Sequence, residues 1–120
     1  MQGTILFVDD EIEMCSMVSN LFEHRGHKVM TAENADVALA LADGTPLKAM
    51  ILDVNLAGED GFKLMSFLHR NNPEVPIIIY TGMEHDQVVV QRALKDGARL
   101  YLRKGGPLDE LVRAVESVTA

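Results

Sequence analysis

Five polar side chains stand where they could act together: Asp9, Asp10, Asp53, Thr81 and Lys104. Each follows the end of an apolar run. Thr4-Ile5-Leu6-Phe7-Val8 precedes the first two acids, Ala49-Met50-Ile51-Leu52 precedes Asp53, Val75 to Tyr80 precedes Thr81, and Leu100 to Arg103 precedes Lys104. An acid inside such a run would be costly to bury, whereas one at its end can meet solvent and ligand. Three carboxylates in one crevice repel one another, so they need a raised pKa or a cation to coexist. Magnesium fits that need, because it prefers hard oxygen ligands, keeps several waters and commonly shares its site with phosphate oxygens. Lys104 would repel such an ion yet attract a transferred phosphoryl group, to which the Thr81 hydroxyl can also donate. Each residue has a plainer explanation by itself. Asp10 with Glu13 fits a helix N-cap and capping box, Asp53 a turn cap, Thr81 a β-branched strand end, and Lys104 a solvated charge. None of these explains why all five share strand ends.

The elements that must position these residues are legible as periodicity. Short, continuously apolar runs read as strands buried on both faces. Between them the pattern is helical. Met14, Met17, Val18, Leu21 and Phe22 form one apolar face, closed by Gly26; Asn34 can cap an Ala-rich helix ending near Gly44. Phe62, Met65 and Leu68 mark a third helix, stopped by Asn71-Asn72-Pro73, and Asp86 can cap a fourth carrying Val89, Val90, Ala93 and Leu94. Pro107 suits the first turn of a last helix with Leu108, Leu111, Val112, Val115 and Val118. His27 to Ala32 is more mixed in polarity and predicts a strand nearer an edge; Val54 to Gly61 predicts a loop. Tyr101, on pattern alone, is a half-buried strand residue. Strict strand-helix alternation predicts an α/β fold: a doubly wound, five-stranded parallel sheet with helices on both faces and right-handed crossovers. In the flavodoxin-like order 2-1-3-4-5, the switch-point crevice falls between the first and third strands. The acids would converge there.

Length and composition bound the reading further. A chain of 120 residues predicts one domain over 1–120, with a core that needs no staple. No apolar stretch approaches the ~20 residues that span a bilayer, and the N-terminus lacks a signal-peptide pattern, so the expected setting is cytoplasmic. A net charge of −7, from 18 acids against 11 Lys plus Arg, argues against direct binding of nucleic acid or an anionic membrane. Cys15 has no partner for an internal disulfide and falls among apolar helix positions, so it reads as a small core residue.

Four stretches carry a family resemblance. Phe7-Val8-Asp9-Asp10-Glu11, Leu52-Asp53-Val54-Asn55-Leu56-Ala57-Gly58-Glu59-Asp60-Gly61, Tyr80-Thr81-Gly82 and Tyr101-Leu102-Arg103-Lys104 resemble, in order, the signatures of a two-component response-regulator receiver domain. The resemblance covers the whole chain. It implies that Asp53 accepts a phosphoryl group from a phosphohistidine of a sensor kinase or phosphotransfer protein. It also implies that Asp10 and Asp53 ligate Mg²⁺ directly, Asp9 through water, with the backbone carbonyl of Asn55 completing the protein ligands. Thr81 and Lys104 would hold phosphoryl oxygens, and Tyr101 would change rotamer as Thr81 moves. The implied output is a partner surface on the fourth helix, fifth strand and fifth helix, offered to an output domain or protein, where Arg92, Lys95, Arg99 and Arg103 cluster in sequence.

The chain departs from the family pattern in three places. Gly105-Gly106 follow Lys104 where the family usually has a cis proline, which predicts a trans peptide and a looser loop. Leu56-Ala57 replace the usual Met-Pro. Arg99-Leu100 stand where receivers that dimerise through that output surface commonly carry acids, which speaks against that dimer. The expected protein is therefore a switch with self-catalysed phosphoryl chemistry and not a metabolic enzyme. Two alternatives are a receiver-like scaffold without phosphotransfer and an aspartyl-nucleophile phosphatase of the haloacid dehalogenase type. The latter needs an acid where Asn55 stands. A flavin carrier fits less well still, because acids occupy the first loop where a phosphate cradle needs small residues and free N–H groups.

Overall fold

A computed structural model describes residues 3–56, 58–82 and 86–119. Among the described residues, seven strands and five helices follow in chain order: β1 (Thr4–Val8), α1 (Ile12–His24), β2 (Lys28–Ala32), α2 (Ala35–Gly44), β3 (Leu47–Leu52), β4 (Asn55–Leu56), β5 (Glu59–Asp60), α3 (Gly61–Asn71), β6 (Ile77–Thr81), α4 (Gln87–Lys95), β7 (Leu100–Arg103) and α5 (Leu108–Thr119). Five of the strands form one parallel sheet in the order β2-β1-β3-β6-β7, which is the predicted 2-1-3-4-5 order counted along that sheet.

The apolar runs explain the layering. Side chains alternate across a strand, so a run that is apolar throughout supplies both faces of the sheet. Leu6 and Val8 of β1, Met50 and Leu52 of β3, and Ile77 and Ile79 of β6 pack with Ala38, Ala42, Leu64, Met65, Leu68 and Ala93 of α2, α3 and α4. The intervening residues Ile5, Phe7, Ala49, Ile51, Ile78 and Tyr80 pack on the other face with Cys15, Val18 and Phe22 of α1 and Leu111, Val112 and Val115 of α5. β2 lies at an edge, as its mixed polarity predicts, with Lys28 and Thr31 exposed.

The caps hold in part. Asn34 Oδ1 accepts from Val37 N at 2.9 Å, and Asp86 Oδ1 from Val89 N at 2.9 Å. Asp10 does not cap α1: the N-cap residue is Glu11, whose side chain makes no cap hydrogen bond. The Asp10 and Glu13 capping-box reading is therefore corrected. Met17, assigned to the apolar face of α1, is 49% exposed, while Cys15 is buried in its stead. Met14, Val18, Leu21 and Phe22 face the core as expected. The last helix begins at Leu108, just after Pro107, whose carbonyl accepts from Glu110 N.

The predicted loop from Val54 to Gly61 contains a two-residue antiparallel ladder, with Asn55 opposite Asp60 and Leu56 opposite Glu59. Gly61 is what lets it close. A Cβ there would stand 2.3 Å from Val54 Cα and O, so only glycine permits the start of α3 to lie against the residue after Asp53. Ala57, and Met83 to His85 in the loop after Thr81, lie outside the described residues.

Candidate functional site

The crevice is built by register. β1 lies between β2 and β3, with Val8 beside both Ala32 and Leu52, so the residues that follow β1 and β3 emerge side by side. The ladder continues one step beyond the strands: Asp53 N donates to Val8 O at 2.9 Å and Asp9 N to Ala32 O at 3.0 Å. Asp9, Asp10 and Asp53 each offer a carboxylate oxygen there, and these atoms lie within 4.8 Å of one another. Asp9 is fully buried and Asp53 nearly so.

Lys104 arrives from the far side of β6. Its own N–H donates to Thr81 O at 2.8 Å, extending the β6 and β7 ladder by one residue. Its ammonium donates to Asp9 Oδ2 and Asp53 Oδ2, both at 2.8 Å, and to Glu11 Oε1 at 3.0 Å. The other oxygens of the two buried acids are held locally: Asp9 Oδ1 accepts from Glu11 N and Asp53 Oδ1 from Asn55 N, each at 2.9 Å. Such short local bonds fix both carboxylates before any ligand arrives. Asn55 thus sits beside Asp53 through its N–H, in the β4 strand.

The electrostatics remain unbalanced. Burial pushes the Asp9 carboxyl up, against the opposing pull of Lys104 and the Glu11 N–H. Burial alone would lower Lys104, but Asp53, Asp9 and Glu11 together outweigh it and raise its pKa. One ammonium therefore meets three carboxylates, and the Asp10 carboxylate lies beside those of Asp9 and Asp53. Hard oxygen donors, crowded and under-neutralised, suit a small divalent cation such as Mg²⁺.

Thr81 ends β6 and is fully buried, opposite Arg103 in the register. Tyr101 is half-buried, as its pattern predicts, and packs against the α2, α3 and α4 face of the sheet. It pairs with Ile79, two residues before Thr81, so Tyr101 and Thr81 share one face of adjacent strands. Burial pushes the Tyr101 phenol up. Lys104 runs into Gly105 with φ +109°, a conformation proline cannot adopt, and no described peptide bond is cis. Glu11 is the participant that the sequence reading missed. Its only signal was its place in the acid run Asp9-Asp10-Glu11, and its partner is 93 residues away.

The fold and the sequence have counterparts among known proteins. Residues 5–116 match the family model described as the response regulator receiver domain. The chain is 34% identical to the nitrogen assimilation regulatory protein NtrX of Azorhizobium caulinodans, over 98% of this chain and 27% of that protein. A CheY-like receiver domain protein of Methanospirillum hungatei superposes with a TM-score of 0.90 at 23% identity, covering 98% of this chain and 93% of the other, and this likeness concerns the fold. A response regulator from Burkholderia pseudomallei, whose structure holds a phosphorylated aspartic acid, a calcium ion and citrate, gives a TM-score of 0.88 at 28% identity, covering 95% of this chain and 66% of that one. The chain spans less than half the length of the curated relatives it matches first.

Proposed function

The chain belongs to the response regulator receiver domain family of two-component signalling, and on that premise we propose that Asp53 is its phosphoacceptor. The observation that carries this reading is Lys104 Nζ at 2.8 Å from both Asp9 Oδ2 and Asp53 Oδ2, in a crevice with more acid than base. A carboxylate oxygen of Asp53 attacks the phosphorus of a kinase or phosphotransfer-protein phosphohistidine. The P–O bond forms as the P–N bond breaks, and because the phosphohistidine ring carries a proton on its other nitrogen, a neutral imidazole leaves with the P–N electron pair. Lys104 exchanges a carboxylate partner for a phosphoryl oxygen, and the Thr81 hydroxyl donates to another. Both offset the charge that spreads over the transferring group.

Asp10, Asp53 and the Asn55 carbonyl would hold Mg²⁺, with Asp9 acting through water. Bound there, the ion neutralises phosphoryl oxygens as charge develops. Residues 1–120 act as one cytoplasmic receiver unit. Phosphorylation biases Thr81 and Tyr101 toward a second arrangement and alters the surface of α4, β7 and α5, which an output domain or protein reads. The scaffold alternative rested on the Gly105-Gly106 departure, yet Lys104 reaches both buried acids despite it, which favours transfer.

The test is intact mass after incubation with Mg²⁺ and a small acyl-phosphate donor. One added phosphoryl group is expected, lost in Asp53→Asn and with a chelator. A folded protein that gains no mass would return the reading to the scaffold. Amide exchange on the phosphorylated protein should change in α4, β7 and α5. Change confined elsewhere would remove that surface from the account.

A further inference from the structure

Glu11 occupies the N-cap of α1 with extended backbone, φ −88° and ψ 107°, but its carboxylate caps nothing. An acidic N-cap side chain ordinarily accepts from the N–H two or three residues on. Here the carboxylate crosses to Lys104 Nζ at 3.0 Å. Local bonding leaves it available for this. Asp9 Oδ1 already accepts from Glu11 N, and Glu11 O accepts from Cys15 N at 3.1 Å to begin the helix.

The three partners of Lys104 differ in their surroundings. The side chains of Asp9 and Asp53 are 0% and 5% exposed, whereas that of Glu11 is 62% exposed. An ammonium has three N–H donors, and here three carboxylates take them. A phosphoryl oxygen can be received only if one contact is given up. The contact to Glu11 is the longest of the three, and both it and its loss are hydrated, so it is the easiest to release. The Lys104 backbone is held by its N–H bond to Thr81 O at 2.8 Å, so it is the side-chain ammonium whose partners can change.

We propose that Glu11 is a positioning residue for the phosphoryl transfer: it holds Lys104 in the resting crevice and is the partner Lys104 relinquishes when the phosphoryl group arrives. The inference rests on Asp53 being the phosphoacceptor and adds a brake to that chemistry. Glu11 touches neither the phosphorus nor Asp53 in this scheme. It acts through Lys104.

Two substitutions separate the brake from simple repulsion of an anionic donor. Glu11→Gln removes the charge, while Glu11→Asp keeps the charge on a side chain one methylene short of Lys104. Initial rates of phosphorylation by a small acyl phosphate, read by intact mass at low ionic strength, should rise about two- to fivefold in both, the scale of one exposed ion pair. In the same proteins the Lys104 side-chain ammonium resonance should shift in the absence of donor, and Mg²⁺ affinity by calorimetry should stay within about twofold. Acceleration in Glu11→Gln alone would make Glu11 a repulsive charge and overturn the positioning role. Unchanged rates in both variants, with a wild-type protein that gains mass normally, would overturn this inference alone. A wild-type protein that gains no mass would overturn the phosphoacceptor reading and this one with it.

Discussion

Two lysines are withdrawn from water at opposite ends of the sheet, and the protein neutralises them differently. Lys104, at the C-terminal end, has a side chain 12% exposed and meets three carboxylates. Lys48, the second residue of β3 at the other end, is buried and meets an imidazole: its ammonium lies 2.6 Å from His27 Nδ1. An ammonium can only donate, so Nδ1 accepts and the ring hydrogen sits on Nε2, 3.3 Å from Glu116 Oε2. Lys48, His27 and Glu116 thus form a relay whose one positive and one negative charge cancel. The C-terminal crevice leaves acid in excess. A balanced cluster ties β3, the residue before β2 and α5 together, whereas an unbalanced one leaves carboxylate charge that a bound cation would offset.

The widest separation between the two ends should come from removing each lysine in turn. Lys104→Met leaves two buried carboxylates without their cation and should lower the stability of the Mg²⁺-free protein by ~3–5 kcal/mol. Lys48→Met leaves only an unsatisfied Nδ1 and should lower it by about 1–2 kcal/mol. Urea unfolding of both variants in chelator measures the gap. A larger loss in Lys48→Met would break the comparison.

A smaller effect sharpens it from the ligand side. Mg²⁺ at about 100 times its Kd should stabilise the wild-type protein by ~2.7 kcal/mol, because only the folded crevice gathers the acids. Asp10→Asn should forfeit most of that gain, and Lys48→Met should retain it, as read by the thermal midpoint with and without the ion. Equal gains in Asp10→Asn and wild type would place the ion elsewhere.

The smallest effect lies beside the crevice. Cys15 Sγ donates to Asp9 O at 3.3 Å, and burial first, then the nearby charges of Asp9 and Glu33, push its thiol up to about 11. The folded value exceeds the ordinary 9.0, so the thiol's stabilising contribution is complete below that ordinary value and is lost as pH rises through about 11. Native Cys15 should therefore label slowly with a disulfide reagent at neutral pH, faster toward pH of about 11, and at once in urea. Equal labelling of native and unfolded chains at neutral pH would contradict its burial.

Some elements were legible because their causes are local. The run expected from Val75 to Tyr80 announces a buried strand in its own composition, formed by Ile77–Thr81 with Val75 and Pro76 outside it, and Asn34 and Asp86 cap the helices that follow them within three residues. The α1 cap was misread for the same reason: Asp10 and Glu13 satisfy a local pattern, but Glu11 takes the N-cap position, its N–H on Asp9 Oδ1 and its carboxylate on Lys104. Met17 fits the helical period as well as Cys15 does, and only the direction in which α1 meets β1 and β2 decides which one faces the core.

Sequence by itself determined the five alternating units, the strand ends at which Asp9, Asp10, Asp53, Thr81 and Lys104 stand, and through the family signatures the chemistry to expect there. These follow from periodicity and residue type, which act over a few positions. Tertiary structure decided which partners Lys104 takes, that Glu11 reaches it across 93 residues of chain, and that His27 meets both Lys48 and Glu116 at the opposite end. Such pairings depend on strand order and register, which place distant residues together by backbone hydrogen bonding and core packing and leave no periodic trace in the chain.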